Sequence, residues 1–179
     1  MIRYNSRKTA FCGLTGALCA VILMMGGLFP FATYACPATA ACLLLPVAYE
    51  YKQKTAFVLY SAVSLLSLFI VADKELVFMF VFIFGPYTAA KFSFDRIKPA
   101  PLRLVLKIAF FNIAVAVSYG ILLFIFPIQA LVQEFSSYGL PFVAVMLVMF
   151  NAVFLLYDKA VEKLLIIYVI RFRKMFFKK

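Results

Sequence analysis

Polar side chains inside long apolar runs are the residues of this sequence that could do chemistry. Tyr60, Ser64 and Ser67 are spaced by four and three residues, so they share one face of a predicted helix. Ser118 and Tyr119 lie in a later apolar run. A polar side chain in hydrocarbon is costly and usually faces protein or a cavity. These residues therefore indicate either hydrogen bonds between helices or the lining of a small-molecule site, and the sequence leaves both open.

Residue types that carry most enzyme chemistry are scarce. There is no His, which removes the commonest metal ligand and near-neutral proton shuttle. The four cysteines form no Cys-x-x-Cys pair, and their spacing favours a packing role. No phosphate-binding glycine loop or nucleophile elbow is present. We therefore predict a protein that is not an enzyme, with no catalytic residue, no metal ligand and no cofactor.

The composition requires a membrane. Hydrophobic residues make up 66% of the 179 residues and charged residues 14%, with a mean hydropathy of +1.05. Soluble domains are about half apolar and about a quarter charged. The length allows roughly six spans of about 20 residues. The sequence predicts an all-α polytopic membrane protein with six transmembrane helices.

Charges and prolines delimit the six spans. The uncharged run Thr9–Tyr49 is 41 residues long, enough for about two crossings. Pro37 and Pro46 predict a bend in the second crossing. The fourth span is short unless Lys91 snorkels to the interface. Asn112 and Asn151 lie at similar depth in two later spans, which predicts a mutual contact. The spans after the first two are Thr55–Ala72, Leu76–Ala90, Leu104–Phe126 and Leu140–Tyr157.

The distribution of Lys and Arg predicts the orientation. With the N-terminus inside, the cytoplasmic segments hold every one of the 18 basic residues except Lys74. Cytoplasmic loops carry an excess of Lys and Arg, and the opposite orientation would reverse that bias. Both termini are therefore expected in the cytoplasm.

The basic C-terminal segment predicts a second structural unit. Residues 1–157 form the membrane domain, and residues 158–179 are predicted to be an amphipathic helix at the cytoplasmic interface. The net charge of +11 lies beside apolar spans, which favours contact with an anionic cytoplasmic leaflet over nucleic acid. The residues expected at the lipid surface are Lys163, Arg171, Arg173 and Lys174.

Small residues recur along the first span. Gly13 with Ala17, and Gly16 with Ala20, form two overlapping pairs that allow a second helix to approach closely. That helix could belong to this chain or to a second membrane protein. The sequence favours neither.

The chain resembles a known family in its architecture. A basic N-terminus, a first helix with small residues at four-residue spacing, a tight uncharged first loop and six helices in about 180 residues resemble the S-component of energy-coupling factor (ECF) transporters. The resemblance implies capture of a vitamin-like solute from outside, with docking through the first helix onto a transmembrane coupling subunit driven by ATPases. Residues 84–91 and 157–173 are also similar to a group of small bacterial membrane proteins without an assigned activity.

The predicted function is therefore a substrate-capture subunit of an uptake transporter in a bacterial cell membrane. The alternative is a non-transporting scaffold or accessory protein of an envelope complex. A substrate pocket is expected to open outward between the first loop (Gly27–Tyr34), Ser67 and the outer halves of spans five and six. The predicted substrate-binding residues are Tyr34, Tyr60, Ser64, Ser67, Ser118 and Tyr119.

Overall fold

The computed structural model describes residues 2–27, 32–125 and 140–173. All regular structure in these ranges is helical, which confirms the all-α prediction. Two π-helical segments, Met79–Phe84 and Tyr168–Phe172, continue α-helices without a break. The α-helices are α1 (Ile2–Gly26), α2 (Ala35–Cys42), α3 (Leu44–Ile70), α4 (Lys74–Phe78), α5 (Gly85–Asp95), α6 (Ala100–Ile125) and α7 (Leu140–Ile167).

The helices are those of a multi-pass membrane protein. Four helical stretches are long and apolar enough to cross a bilayer of about 30 Å. Three of them also leave most of their surface unburied by the rest of the chain, as lipid-facing helices do. The four stretches are Ser6–Gly26, Leu44–Ile70, Lys74–Asp95 and Ala100–Leu122.

The helical path through residues 35–70 is interrupted twice. Leu43 separates α2 from α3, between the two prolines that predicted a bend. Within α3, Tyr51 and Lys52 leave the helical conformation, and Lys52 has a φ of 70°. A positive φ is uncommon outside glycine, so this turn divides α3 sharply into two helical parts. The turn lies in the charged segment that the sequence assigned to the connection between two spans.

The fourth span is longer than the sequence predicted. Helix α4, the π segment and α5 form one stretch from Lys74 to Asp95, rather than Leu76–Ala90. The added length does not depend on Lys91 snorkelling to the interface, because this side chain is fully buried. Its ammonium group contacts three carboxylates instead of the membrane interface. Charge pairing within the protein therefore removes the need for the side chain to reach water.

The turn before α4 satisfies the ends of both neighbouring helices. The Asp73 carboxylate accepts a hydrogen bond from the Leu76 backbone N–H at 3.2 Å, which caps the start of α4. The Lys74 ammonium donates to the carbonyls of Leu68 and Val71 at 2.9 and 3.0 Å, at the end of α3. A tight connection between two apolar helices is thereby stabilised.

The π segment Met79–Phe84 joins two hydrophobic clusters. Phe80 packs into a cluster formed with α1, α2, α3 and α4. Met79 and Ile83 pack into a second cluster with residues of α6 and α7, including Phe111 and Phe154. The fourth helical stretch is therefore central to the bundle, and it is also the most buried of the four candidate spans.

Helices α6 and α7 are joined by an amide pair. Each side-chain amide of Asn112 and Asn151 donates to the carbonyl oxygen of the other, at 3.0 and 3.2 Å. The predicted contact between these residues is confirmed. Helix α7 itself continues through Tyr157 to Ile167, so no break in the helix marks the predicted boundary at 157/158.

Candidate functional site: an aromatic cavity above a buried charge cluster

An apolar cavity of about 230 Å³ lies between the π segment, α6, α7 and Tyr34. Drug-sized ligands usually occupy about 300–1,000 Å³, so this cavity suits a small molecule. Six of its ten lining residues are aromatic. The lining residues are Tyr34, Met79, Ile83, Phe84, Phe111, Val115, Tyr119, Phe150, Val153 and Phe154.

A carboxylate lies behind two tyrosines of the cavity. The hydroxyls of Tyr34 and Tyr119 each donate to the same oxygen of Glu75, at 3.1 Å. Hydrogen bonds to an ionised carboxylate are stronger than neutral ones. Glu75 therefore orients two rings of the cavity wall, and its negative charge lies close to the cavity.

Stacked aromatic rings close the opposite end of the cavity. The rings of Phe111 and Phe154 stack with centroids 4.4 Å apart. Tyr87 meets the Phe154 ring edge-on at 4.8 Å. Offset and edge-to-face pairs are the favoured aromatic geometries. The Tyr87 hydroxyl then donates to Asp158, so the aromatic layer is connected directly to charged groups.

Below this layer lies a charge cluster, which we define as Lys91, Asp95, Lys107, Asp158 and Glu162. Asp158 is at its centre, with one carboxylate oxygen 2.7 Å from Lys91 Nζ and the other 2.7 Å from Lys107 Nζ. Asp95 is 3.1 Å from Lys107 and 3.5 Å from Lys91. Glu162 is more distant, at 3.6 and 3.9 Å. The cluster connects α5, α6 and α7.

Burial makes the pairing in this cluster necessary. Lys91 is fully buried and Lys107 is 3% exposed. An unpaired buried ammonium would lose several kcal/mol of solvation free energy. Two cations and three carboxylates leave one formal negative charge, located beside the half-exposed Glu162. The cluster is therefore well compensated where it is most buried.

Asp158 lies one residue beyond the last predicted apolar span. Burial by itself would raise the pKa of its carboxyl group. Hydrogen bonds from Lys107, Lys91 and Tyr87 outweigh that effect and hold the pKa below its ordinary value. The carboxylate is therefore ionised at neutral pH.

A polar contact extends the cluster toward α2. The hydroxyls of Thr88 and Tyr157 are 2.8 Å apart. The Tyr157 hydroxyl also lies 3.8 Å from Cys42 Sγ and 3.4 Å from the Ala38 carbonyl. Hydrogen bonds of this kind join α5, α7 and α2 at the level just beyond the cavity.

The structure brings together only part of the predicted substrate-binding set. Tyr34 and Tyr119 line the cavity, and Ser118 is buried beside Tyr119 in sequence but is not part of the lining. The stripe Tyr60, Ser64 and Ser67 is also absent from the lining.

Two residues of the polar stripe on α3 donate hydrogen bonds within the chain. The Tyr60 hydroxyl donates to the Val81 carbonyl in the π segment, and Ser67 donates to the Ser64 carbonyl at 2.9 Å.

The π segment ends just before a proline. Pro86 has no N–H to donate to the carbonyl four residues earlier, which favours the irregular hydrogen bonding just before it. Gly85 is required here, because a Cβ at this position would lie 2.5 Å from the Tyr60 ring.

The small residues of α1 border an apolar groove against α3. Gly16 packs on this chain, since a Cβ there would lie 3.1 Å from Leu59 Cδ1. Gly13 has no neighbouring atom within 4 Å of a Cβ, and Ala17 is exposed. The groove has a volume of about 830 Å³ and also includes Ala20. Of the four predicted docking residues, Gly16 therefore packs partly against α3, whereas Gly13 and Ala17 are exposed.

The basic residues predicted at the lipid surface differ in their contacts. Lys163 and Arg171 are exposed. Arg173 pairs with Glu50 at 3.0 Å, and its guanidinium carbon lies 5.5 Å from the centroid of the Tyr49 ring. Lys174 lies outside the described residues.

Sequence reasoning missed Glu75 and the charge cluster as parts of a site. Their charges lie at the ends of apolar runs, where they indicate only the limits of spans. One signal could have found them: Lys91 with Asp95, and Asp158 with Glu162, are spaced by four residues and so share a helix face. The same faces continue through aromatic residues toward the cavity, as Phe150, Phe154 and Asp158 do on α7.

Within the described ranges, no three His, Cys, Asp or Glu side chains are grouped to hold a metal ion. No family model matches this chain, and comparison with curated proteins and with solved structures gives no significant match.

Proposed function

We propose that this chain is an integral membrane substrate-capture subunit of a small-molecule uptake transporter in a bacterial cell membrane. The observation that carries the proposal is the aromatic cavity. Tyr34 and Tyr119 line it, and Glu75 orients these two rings through hydrogen bonds with their hydroxyls. Pockets that bind small molecules are concave and mostly apolar, with few polar groups that set orientation. This cavity is concave and apolar, and two of its lining residues carry hydroxyl groups.

The proposed topology has six spans with both termini in the cytoplasm. The positive-inside bias supports it, because the opposite orientation would leave Lys74 as the single basic residue of the cytoplasmic segments. In this topology Glu75 and the cavity are nearer the outside, and the charge cluster is nearer the cytoplasm. A solute would therefore enter from outside and meet the aromatic layer of Phe111, Phe154 and Tyr87 as the floor of its site.

Partners follow from the two surfaces described above. We propose that the groove along α1 and α3 receives a transmembrane helix of a coupling subunit, which ATPases would drive. The open space at Gly13 and the exposure of Ala17 support this docking face. The exposed Lys163 and Arg171 support contact with the anionic cytoplasmic leaflet.

A thermal-shift screen of the purified full-length chain tests capture. Vitamins, nucleobases and small amines would be added to the detergent-solubilised protein. A solute that binds only the folded state raises Tm, by an amount that grows with its concentration relative to Kd. We expect at least one such solute.

Two matched variants locate the binding. Val115→Phe would fill part of the cavity, whereas Val117→Phe places the same ring on an exposed position of α6 outside it. The ligand-induced shift should disappear in Val115→Phe and persist in Val117→Phe. If no solute raises Tm, or if both variants respond like the wild type, capture in this cavity is wrong. The groove would then favour the scaffold alternative, which needs a docking face but no cavity.

A further inference from the structure

The charge and the rings around the cavity suggest which solutes it would accept. Six aromatic side chains surround the space: Tyr34, Phe84, Phe111, Tyr119, Phe150 and Phe154. The face of an aromatic ring carries negative charge density and attracts cations, and cages of such rings recognise quaternary ammonium groups. A neutral apolar molecule would gain burial there, but it would gain nothing from the ring quadrupoles.

The Glu75 carboxylate adds a formal charge behind the wall of the same space, where it accepts from two of the lining tyrosines. The hydroxyls of Tyr34 and Tyr119 hydrogen-bond to it without neutralising it. The neighbouring Lys74 ammonium is engaged with the carbonyls of Leu68 and Val71 instead. Among the described residues, no Lys or Arg forms an ion pair with Glu75, although every described acid of the charge cluster has one.

A carboxylate that has no ion-pair partner and lies behind the wall of an apolar cavity leaves a negative charge that a cation in the cavity could balance. In a medium of low dielectric constant, its attraction for a cation in the cavity is stronger than in water. Its repulsion of an anion is equally strengthened. We infer that the cavity is a binding site for a small organic cation, an amine or quaternary ammonium compound whose charged group lies among the rings, on the side where Tyr34 and Tyr119 hydrogen-bond to Glu75. The inference rests on the proposed function, since it names the class of solute that would be captured.

The experiment compares a cation with a neutral molecule of the same shape. Choline carries a trimethylammonium group, and 3,3-dimethyl-1-butanol replaces that group by an uncharged tert-butyl group. Binding of each probe to the purified full-length chain would be measured by calorimetry and by thermal shift. Choline should bind at least about tenfold more tightly than its neutral isostere. Tetramethylammonium should also raise Tm.

Two charge-matched variants connect the effect to Glu75. Glu75→Gln keeps an oxygen that can accept from both tyrosines but removes the charge. It should weaken choline binding about tenfold or more and leave the neutral isostere unaffected. Glu50→Gln removes the same charge from the pair with Arg173, away from the cavity, and should leave choline binding unchanged. The Tm without ligand shows whether each variant is folded.

The outcomes separate the two proposals. Equal binding of choline and its isostere, or unchanged choline binding in Glu75→Gln, would overturn the cation site while leaving capture of neutral solutes intact. Tighter binding of an anionic solute than of choline would also overturn the cation site. If neither cation binds but a neutral solute from the screen does, the solute class is wrong and the proposed function stands. If no solute of any class binds, both proposals fail.

Discussion

At the scale of single residues, Asp158 is an acid that accepts hydrogen bonds from three other side chains. Each of its two carboxylate oxygens contacts one buried ammonium group. The oxygen that contacts Lys91 also accepts a hydrogen bond from the Tyr87 hydroxyl. A buried ion pair contributes little net stability relative to apolar residues of similar size, but removal of one partner leaves the other uncompensated. Replacement of Asp158 is therefore expected to lower the free energy of unfolding by more than replacement of an average surface acid.

We predict that Asp158→Asn lowers the free energy of unfolding by about 3 kcal/mol, because two buried lysines lose their nearest counterion and keep only the more distant carboxylates of Asp95 and Glu162. Glu162→Gln is the matched control; its residue is half exposed and 3.6 Å from Lys91, so the loss should stay below about 1 kcal/mol. Adding Lys91→Met to Asp158→Asn should recover part of the stability. Denaturation in detergent measures all three, and equal losses in the two single variants would contradict this account.

The lowered pKa of Asp158 also determines how acid affects the cluster. A carboxyl group with a lower pKa in the folded state stabilises the protein above its unfolded pKa of about 3.9. That contribution is lost as the pH falls through the lower folded value. The difference in stability between wild type and Asp158→Asn should therefore persist from neutral pH to about pH 5 and shrink below about pH 4.

At the scale of elements, α1 has two different faces: one packs into the protein core, and the other borders a groove. Its Cys19 and Leu23 are fully buried against α2, α3 and α4, and the Cys19 thiol donates to the Ala40 carbonyl at 3.2 Å. The other face carries Gly13 and Ala17 at the groove against α3. In lipid there is little hydrophobic drive between helices, so close approach at small residues contributes much of the association energy. A partner helix would obtain that contact only if the groove stays open.

We predict that Ala17→Trp abolishes co-purification with a co-expressed ECF coupling subunit while leaving Tm and solute binding intact. The large ring would hold the partner helix away and remove dispersion contacts along the groove. Leu18→Trp, at an exposed position of α1 outside the groove, should change neither property. A fall in the Tm of isolated Ala17→Trp would assign the stripe to packing within this chain. An unchanged pull-down would show that the face does not dock.

At the scale of the whole molecule, the cavity and the charge cluster lie at different depths of one helical unit. Along the fourth helical stretch the chain passes Glu75, then Met79 and Ile83 of the cavity, and then Tyr87 and Lys91. Helix α7 passes the same levels in the opposite direction, from the cavity to Asp158. One end of this unit thus holds the aromatic cavity, and the other holds the paired charges.

Cysteine labelling tests the proposed orientation of this unit. In a background without the four native cysteines, a single Cys at Asp73 should react with a membrane-impermeant reagent added to intact cells. A single Cys at Gln53 or Pro99 should react only after the membrane is permeabilised, because these positions lie among the basic cytoplasmic segments. External labelling at Gln53 would reverse the topology and place the cavity on the cytoplasmic side.

The sequence by itself determined the helical class and the membrane setting, because hydropathy acts locally along the chain. It also determined the Asn112–Asn151 contact, since two amides at equal depth have few other partners. Only the tertiary structure decided that Lys91 is buried, that Tyr60 bonds to the π segment, and that Tyr34 and Tyr119 meet at Glu75. Those contacts join residues that are 21 to 67 positions apart in the chain. A charge at the end of a span has the same local sequence signal whether it faces water or another helix, and only packing distinguishes the two.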